Sequence, residues 1–244
     1  MSLLEVRGLS KRFGGLHAVR DLSLVLERGE VLGLIGPNGA GKTTAFSLLS
    51  GFLTPDAGDI RFDGKSLVGL KPHAICRAGL ARTFQIVRPF PRLTVLGNVE
   101  VGALARHADV AEGTKRARAV VERVGLAAKA EVPASALTLS DRKRLELARA
   151  LATEPVLVLL DEVMAGLNAT ETASIVELIR RINGDGVSIL LIEHNMRAVM
   201  SLSHRIVVLS FGQNIADGPP AAVANDPRVV EAYLGGEYVG APPA

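Results

Sequence analysis

Val31-Leu32-Gly33-Leu34-Ile35-Gly36-Pro37-Asn38-Gly39-Ala40-Gly41-Lys42-Thr43-Thr44 is the stretch on which the reading of this chain turns. Gly36 to Thr43 completes the pattern G-x-x-x-x-G-K-[ST]. A strand-length apolar run leads into it, and a helix-like run from Lys42 to Ser50 leads out. Glycines there let backbone N–H groups come close to phosphate oxygens, and the loop must open a helix whose positive end faces the anion. Lys42 is then placed to reach β- and γ-phosphates, and the Thr43 hydroxyl to bind Mg²⁺. A glycine-rich turn with an incidental lysine is the plain alternative, but it accounts for neither the strand before nor the helix after.

Further along, Val156-Leu157-Val158-Leu159-Leu160-Asp161-Glu162 ends an apolar strand on two adjacent carboxylates. Ionised groups at the edge of a core need a partner. A phosphate-bound Mg²⁺ supplies one: Asp161 can hold the ion, and Glu162 can orient and polarise an attacking water. Two acids capping a strand end would be the bland account of the motif taken alone. Val187-Ser188-Ile189-Leu190-Leu191-Ile192-Glu193-His194 sets His194 at the C-terminal edge of another apolar strand, where parallel sheets present ligands. A single histidine is more often a helix cap or a satisfied polar edge. Gln85, in Ala81-Arg82-Thr83-Phe84-Gln85, is weaker again, since glutamines are common on surfaces.

The chain has 244 residues, 48% of them hydrophobic, which fits one large α/β domain or a domain with a small subdomain. The single cysteine, Cys76, cannot form an internal disulfide, which points to a reducing compartment. The first residues show no cationic segment followed by an apolar stretch, so no signal peptide is expected. No apolar run approaches the length that spans a bilayer, so a soluble chain is expected, with any membrane role passing through a partner. A formal charge of +3 is mildly basic, and Arg142-Lys143-Arg144 and Lys115-Arg116-Ala117-Arg118 lie in helical patterns that read as solvated faces. With 4% aromatic residues and no tryptophan, little stacking surface exists for single-stranded nucleic acid. No nucleic-acid partner is expected.

Leu4 to Arg7 and Leu22 to Leu26 alternate as antiparallel, half-buried strands do. Gly51 and Pro55 end the helix after the phosphate loop, and Gly58 to Gly64 reads as a short strand. From about Arg88 to Leu151 the pattern is helical and more charged, with helices expected at Thr94–Arg106, Glu112–Val124 and Arg142–Leu151. Strand and helix then alternate: Val156–Leu160, Thr170–Ile182, Val187–Ile192, Asn195–Leu202 and Arg205–Ser210, with a turn at Gly212. Continuous apolar strands between helices imply a parallel sheet covered on both faces. From Gly235 the chain is Gly/Pro-rich and reads as a loose tail.

Over nearly its whole length the chain resembles an ATP-binding cassette (ABC) subunit. Gly36–Thr44 matches the Walker A loop and Leu157–Glu162 the Walker B strand. Phe13 falls where the family stacks an aromatic on adenine; Gln85 matches the Q-loop, Gly166-Leu167-Asn168 the D-loop, and His194 the switch histidine. The resemblance implies an α/β P-loop NTPase cassette with a mainly parallel core sheet, an antiparallel N-terminal β subdomain and a helical subdomain. It would be one nucleotide-binding domain over 1–234, with its core at 1–87 and 152–234, the helical part at about 88–151, and a tail at 235–244. ATP and Mg²⁺ are the implied cofactors. Nucleotide contacts would come from Phe13, Gly36, Asn38, Gly39, Ala40, Gly41, Lys42, Thr43, Thr44 and Gln85, with Thr43, Gln85 and Asp161 on the metal. Lys42, Glu162 and His194 would carry hydrolysis.

The family's signature, L-S-G-G-Q, is altered here. Keeping its spacing to Ala148-Arg149-Ala150-Leu151 places it at Leu137-Thr138-Leu139-Ser140-Asp141, not at Leu139–Lys143. Thr138 then stands for the serine that bonds the γ-phosphate, and Ser140 for the second glycine. A threonine hydroxyl can still donate, whereas Ser140 adds a Cβ where close approach or an unusual φ is expected.

Five stretches narrow the resemblance to the LivG-type subunit of branched-chain amino-acid importers: Phe13-Gly14-Gly15-Leu16, Ala81–Gln85, Arg144-Leu145-Glu146-Leu147-Ala148-Arg149, Ala165–Asn168 and Glu231-Ala232-Tyr233-Leu234-Gly235. The implied assembly has a second cassette subunit, a heterodimer first and a homodimer as the alternative. It also has integral membrane permease subunits and a periplasmic binding protein, and sits at the cytoplasmic face of a bacterial inner membrane. The loop Ile86-Val87-Arg88-Pro89-Phe90-Pro91 would dock a permease helix. Cassettes for urea, aromatic-acid uptake or lipopolysaccharide export, and non-transport cassettes, are the competing readings.

Overall fold

The computed structural model describes residues 2–84 and 89–238, except for the side chains of 234–238. The chain divides into two compact units, 1–71 with 190–244, and 72–189.

In the first unit, β1 (Ser2–Phe13) and β2 (Leu16–Glu27) form an antiparallel hairpin turned by Gly14-Gly15, with Phe13 opposite Leu16. Leu4, Val6 and Leu9 on β1 and Leu22, Leu24 and Leu26 on β2 are buried, as the sequence alternation predicts. β3 (Val31–Ile35) is buried at all five positions and leads into α1 (Lys42–Leu49). β4 (Ala57–Phe62) pairs antiparallel with β1, and β5 (Lys65–Ser66) with β4, giving a four-stranded sheet ordered β2-β1-β4-β5.

The second unit begins with α2 (Pro72–Ala78) and β6 (Leu80–Arg82), neither of which the sequence pattern marks clearly. The expected helical stretch contains α3 (Val95–Ala103), α4 (Val110–Arg123) and α5 (Leu139–Leu151). Thr94, Asp109 and Thr138 cap their N-termini, each accepting a backbone N–H through its side chain. β7 (Leu157–Asp161) lies parallel to β6 with Arg82 opposite Leu159, and α6 (Ala169–Gly184) follows. β8 (Ser188–Ile192) carries the boundary between the units.

Back in the first unit come α7 (Met196–Leu202), β9 (Arg205–Ser210), β10 (Gln213–Gly218), α8 (Pro220–Ala224) and α9 (Pro227–Tyr238). α9 runs on to Tyr238, past the Gly235 at which composition suggests a loose tail. β9 is parallel to β3, with Leu34 opposite Val207, and antiparallel to β10. Ile35, Val199, Ile206, Val208, Ala216, Val223 and Val229 form one apolar cluster, so α7, α8 and α9 pack on this sheet. All five residues of β3 are buried, so side chains on both of its faces lie inside, which is why its sequence is continuous rather than alternating. Among the described residues, no helix is long and apolar enough to cross a membrane.

Candidate nucleotide site

The parallel pairing of β3 with β9 brings their C-terminal ends to one edge of the first unit. There the turn after β9 meets the phosphate loop: Gly212 donates its N–H to the Ala40 carbonyl at 3.0 Å and accepts from Arg20 N at 2.8 Å. Gly36 has φ +152°, and a Cβ built on it would lie 2.1 Å from the Leu209 carbonyl oxygen. Gly41, the N-cap of α1, has φ +99°, and its Cβ would lie 2.2 Å from the Ala18 carbonyl oxygen. Only glycine fits either place. α1 has neither a side-chain cap nor an acid in its first turn, so its positive end suits an anion.

Lys42 is 7% exposed and donates from Nζ to the carbonyl oxygens of Gly36 and Pro37, at 2.7 and 2.9 Å. The ammonium is thus held against the loop it is expected to serve. Ala40 is buried; Asn38, Gly39 and Thr43 are exposed, and Thr44 half-buried. Phe13, 47% exposed, ends β1 with the Lys11 ammonium 5.9 Å from its ring centre. His194 follows β8 and is exposed, beside Asn195, which caps α7 by accepting Ala198 N–H at 3.1 Å. Tyr233 on α9 is marked in the sequence only by family resemblance: burial raises the pKa of its hydroxyl, and the Gly36 backbone pulls it down.

In the second unit, Asp161 ends β7 almost fully buried. Its Oδ2 accepts from Arg82 Nη2 at 2.9 Å, its N–H donates to Thr83 Oγ1 at 3.1 Å, and its buried Oδ1 has no hydrogen-bond partner. Burial raises its pKa, while the Arg82 guanidinium pulls it down. Glu162 has φ +50°, a left-handed conformation that a long side chain rarely adopts. Its carbonyl accepts from Lys143 Nζ at 3.0 Å and from Ala165 N at 3.2 Å. Sequence reading missed Arg82, Thr83 and Lys143. Arg82 and Thr83 lie inside the stretch Ala81–Gln85, where their pairing with β7 gives no signal until β6 is seen.

Thr138 caps α5: its Oγ1 accepts Asp141 N–H at 3.2 Å and donates to Asp141 Oδ2 at 2.8 Å. Ser140 lies in the first turn of α5 and is not among the residues of positive φ. The unusual backbone expected at this position is therefore not found, because a helix N-terminus accommodates a Cβ without strain. Gly166 has φ +79°, and Asn168 forms a reciprocal capping box with Glu171 on α6. Gln85 and residues 86–88 of the expected docking loop lie outside the described residues.

A family model described as ABC transporter matches residues 19–165, and a second, described as branched-chain amino acid ATP-binding cassette transporter, matches 213–239. The chain is 43% identical over 252 residues to the high-affinity branched-chain amino acid transport ATP-binding protein LivG of Salmonella typhimurium, covering 96% of this chain and 98% of the relative. It is 42% identical to BraF, the corresponding protein of Pseudomonas aeruginosa, at the same coverage. A solved nucleotide-free cassette from an ABC transporter superposes with a TM-score of 0.88 at 28% identity, covering 96% of this chain and 99% of that one. The ADP conformation of an ABC transporter cassette superposes with the same score at 29% identity and the same coverage. The phosphate loop, the acidic end of β7 and these likenesses agree that the chain belongs to the ABC transporter family, as an ATP-hydrolysing cassette of the LivG and BraF group.

Proposed function

We propose that this chain hydrolyses ATP to drive import of branched-chain or related amino acids through membrane permease subunits. The observation that carries the cargo class is the match of 213–239 to the branched-chain cassette model, joined to 43% identity with LivG across nearly the whole chain. The work is done at the cytoplasmic face of a bacterial inner membrane, with a periplasmic binding protein delivering the cargo. The division into a nucleotide-binding core (1–87 and 152–234) and a helical part (88–151) belongs to the same reading.

In this mechanism the N–H groups of Gly39, Gly41, Lys42, Thr43 and Thr44 take the phosphate oxygens, and Lys42 Nζ exchanges its two loop carbonyls for the β- and γ-phosphates. Asn38 and Ala40 shape the loop around them, and Phe13 offers an exposed ring to the adenine. Thr43, Asp161 and Gln85 would hold Mg²⁺; the buried, unpartnered Oδ1 of Asp161 fits such an ion. Mg²⁺, when bound, neutralises charge on the β- and γ-oxygens. Glu162 orients the attacking water and takes its proton, and His194 steadies the γ-phosphate. Thr138 and Ser140 present the altered signature to the nucleotide held by a second cassette. A post-hydrolysis cassette bound to ADP and Pi is dimeric, at 23% identity to this chain, and shares its fold.

The test is ATP turnover by the assembled transporter in lipid vesicles, with candidate amino acids and the binding protein. Leucine, isoleucine or valine should accelerate turnover and enter the vesicles. Stimulation by urea or an aromatic acid alone would reassign the cargo.

A further inference from the structure

One face of α5 makes three contacts that the hydrolytic chemistry above leaves unused. Lys143, 3% exposed, gives Nζ to the Glu162 carbonyl at 3.0 Å. Glu146, 6% exposed, accepts the Phe84 N–H through Oε1 at 2.5 Å. The Arg149 guanidinium lies 5.1 Å from the centre of the Phe90 ring. Residues at this spacing share a helix face. The stripe therefore reaches the backbone of the acid after β7, the residue just before Gln85, and an aromatic just beyond it in the sequence.

Burying an ammonium and a carboxylate is costly, and apolar side chains of similar volume would pack this face of α5 more simply. The partners explain what the charges do. Glu162 sits at φ +50°, where its side chain points as its peptide is turned, and Lys143 Nζ donates to the carbonyl of that peptide beside Ala165 N–H. On the other side, Thr83 Oγ1 already joins the end of β6 to Asp161 N–H, and the next residue, Phe84, is joined to α5 by Glu146. Two adjacent residues thus tie one segment to both the Walker B strand and the helix that begins at the altered signature.

We propose that Lys143 and Glu146 are positioning residues for ATP turnover: Lys143 fixes the peptide that aims Glu162, and Glu146 fastens the approach to Gln85 to α5. This rests on Glu162 acting on the attacking water. Their contacts run to the Glu162 carbonyl and the Phe84 N–H, so on this proposal both act on kcat and not on affinity.

The experiment measures steady-state hydrolysis by the assembled transporter, Mg-ATP affinity and melting temperature for Lys143→Met, Lys143→Arg, Glu146→Leu and Glu146→Gln, beside Glu162→Gln. Lys143→Met and Glu146→Leu should lower kcat by about tenfold or more with KM for ATP unchanged. Lys143→Arg keeps a donor and Glu146→Gln keeps an acceptor, so both should recover most of the rate, even if the apolar variants fold poorly. Full kcat in Lys143→Met and Glu146→Leu, while Glu162→Gln abolishes turnover, would overturn the positioning role alone. A rate loss in all four variants that merely follows melting temperature would overturn it too, by reducing the stripe to packing. Retained turnover in Glu162→Gln would remove the general base and this inference with it.

Discussion

Glu162 is held in a left-handed conformation at the end of a fully buried strand, next to a carboxylate whose Oδ1 has no partner. Strain of this kind survives where the surroundings over-determine it, and it concentrates at functional sites. Glu162→Gln keeps the shape and removes the base. It should bind Mg-ATP with the parent's affinity, measured by calorimetry, while hydrolysis falls by about a hundredfold or more; unchanged turnover would refute the assignment. Glu146 carries a second residue-level consequence. Burial raises its pKa, against the Phe84 N–H and the charges of Lys143 and Arg149. The folded state therefore holds this proton more tightly than the unfolded chain does. The carboxyl's favourable contribution is present in full below its unfolded pKa of about 4.3, and is lost as pH rises through the folded value. Glu146→Gln has no such loss. Denaturant unfolding at stepped pH should show the stability of the variant relative to the parent growing from about pH 4.3 upward, then levelling off. A difference that stays flat with pH would mean that the ionised carboxylate is not penalised.

The elements that matter are the two helix N-termini, and they differ in what fills them. α1 opens on a glycine without a side-chain cap, whereas α5 opens on Thr138, whose hydroxyl already caps the helix and donates to Asp141. Gly41→Ala forces a Cβ to within 2.2 Å of the Ala18 carbonyl, so the loop must shift and Mg-ATP binding should be lost. A Cβ on Gly39 meets nothing within 4 Å, so Gly39→Ala faces only its positive φ, about 1 kcal/mol, and should bind with modestly reduced affinity. Calorimetry on the pair separates close approach from conformational preference; equal losses would mean that φ alone decides. The phosphate loop, β7 with its acids, and the main helices were legible because each is a local pattern: a spacing, a continuous apolar run, a capping residue before a period. α2 and β6 were not, since β6 is three residues long and gains its identity only by pairing with β7. Arg82 and Tyr233 were invisible as site neighbours for the same reason. Their partners, Asp161 and Gly36, are far off in the chain, and no local spacing encodes a contact that the sheet and α9 create.

For the whole molecule, the intact and the altered motifs do not balance. Lys42, Asp161, Glu162 and His194, the residues proposed to carry hydrolysis, are all present, and Gly36 and Gly41 occupy places that only glycine fits, whereas the stretch Leu137–Asp141, where spacing would put the signature, holds neither of its glycines and is an ordinary capped helix start. A cassette that keeps its hydrolytic residues but offers a weak signature can work fully only where another chain supplies the signature. In a homodimer, both composite sites would combine good Walker motifs with a poor signature. In a heterodimer with a regular cassette, one site would combine these Walker motifs with a complete signature, and the reciprocal site would be slow. Because closure around the nucleotide completes the donor set, the deficit should fall on kcat more than on ATP affinity. The purified chain alone should therefore hydrolyse ATP at about a tenth or less of the native assembly's rate per cassette, while binding Mg-ATP comparably. Restoring glycine with Ser140→Gly should raise the rate of the chain alone and leave the assembly's faster site unchanged, since that site does not use residue 140 of this chain. If the chain alone already matches the assembly, or Ser140→Gly changes neither, the altered signature is catalytically silent and the asymmetry does not exist.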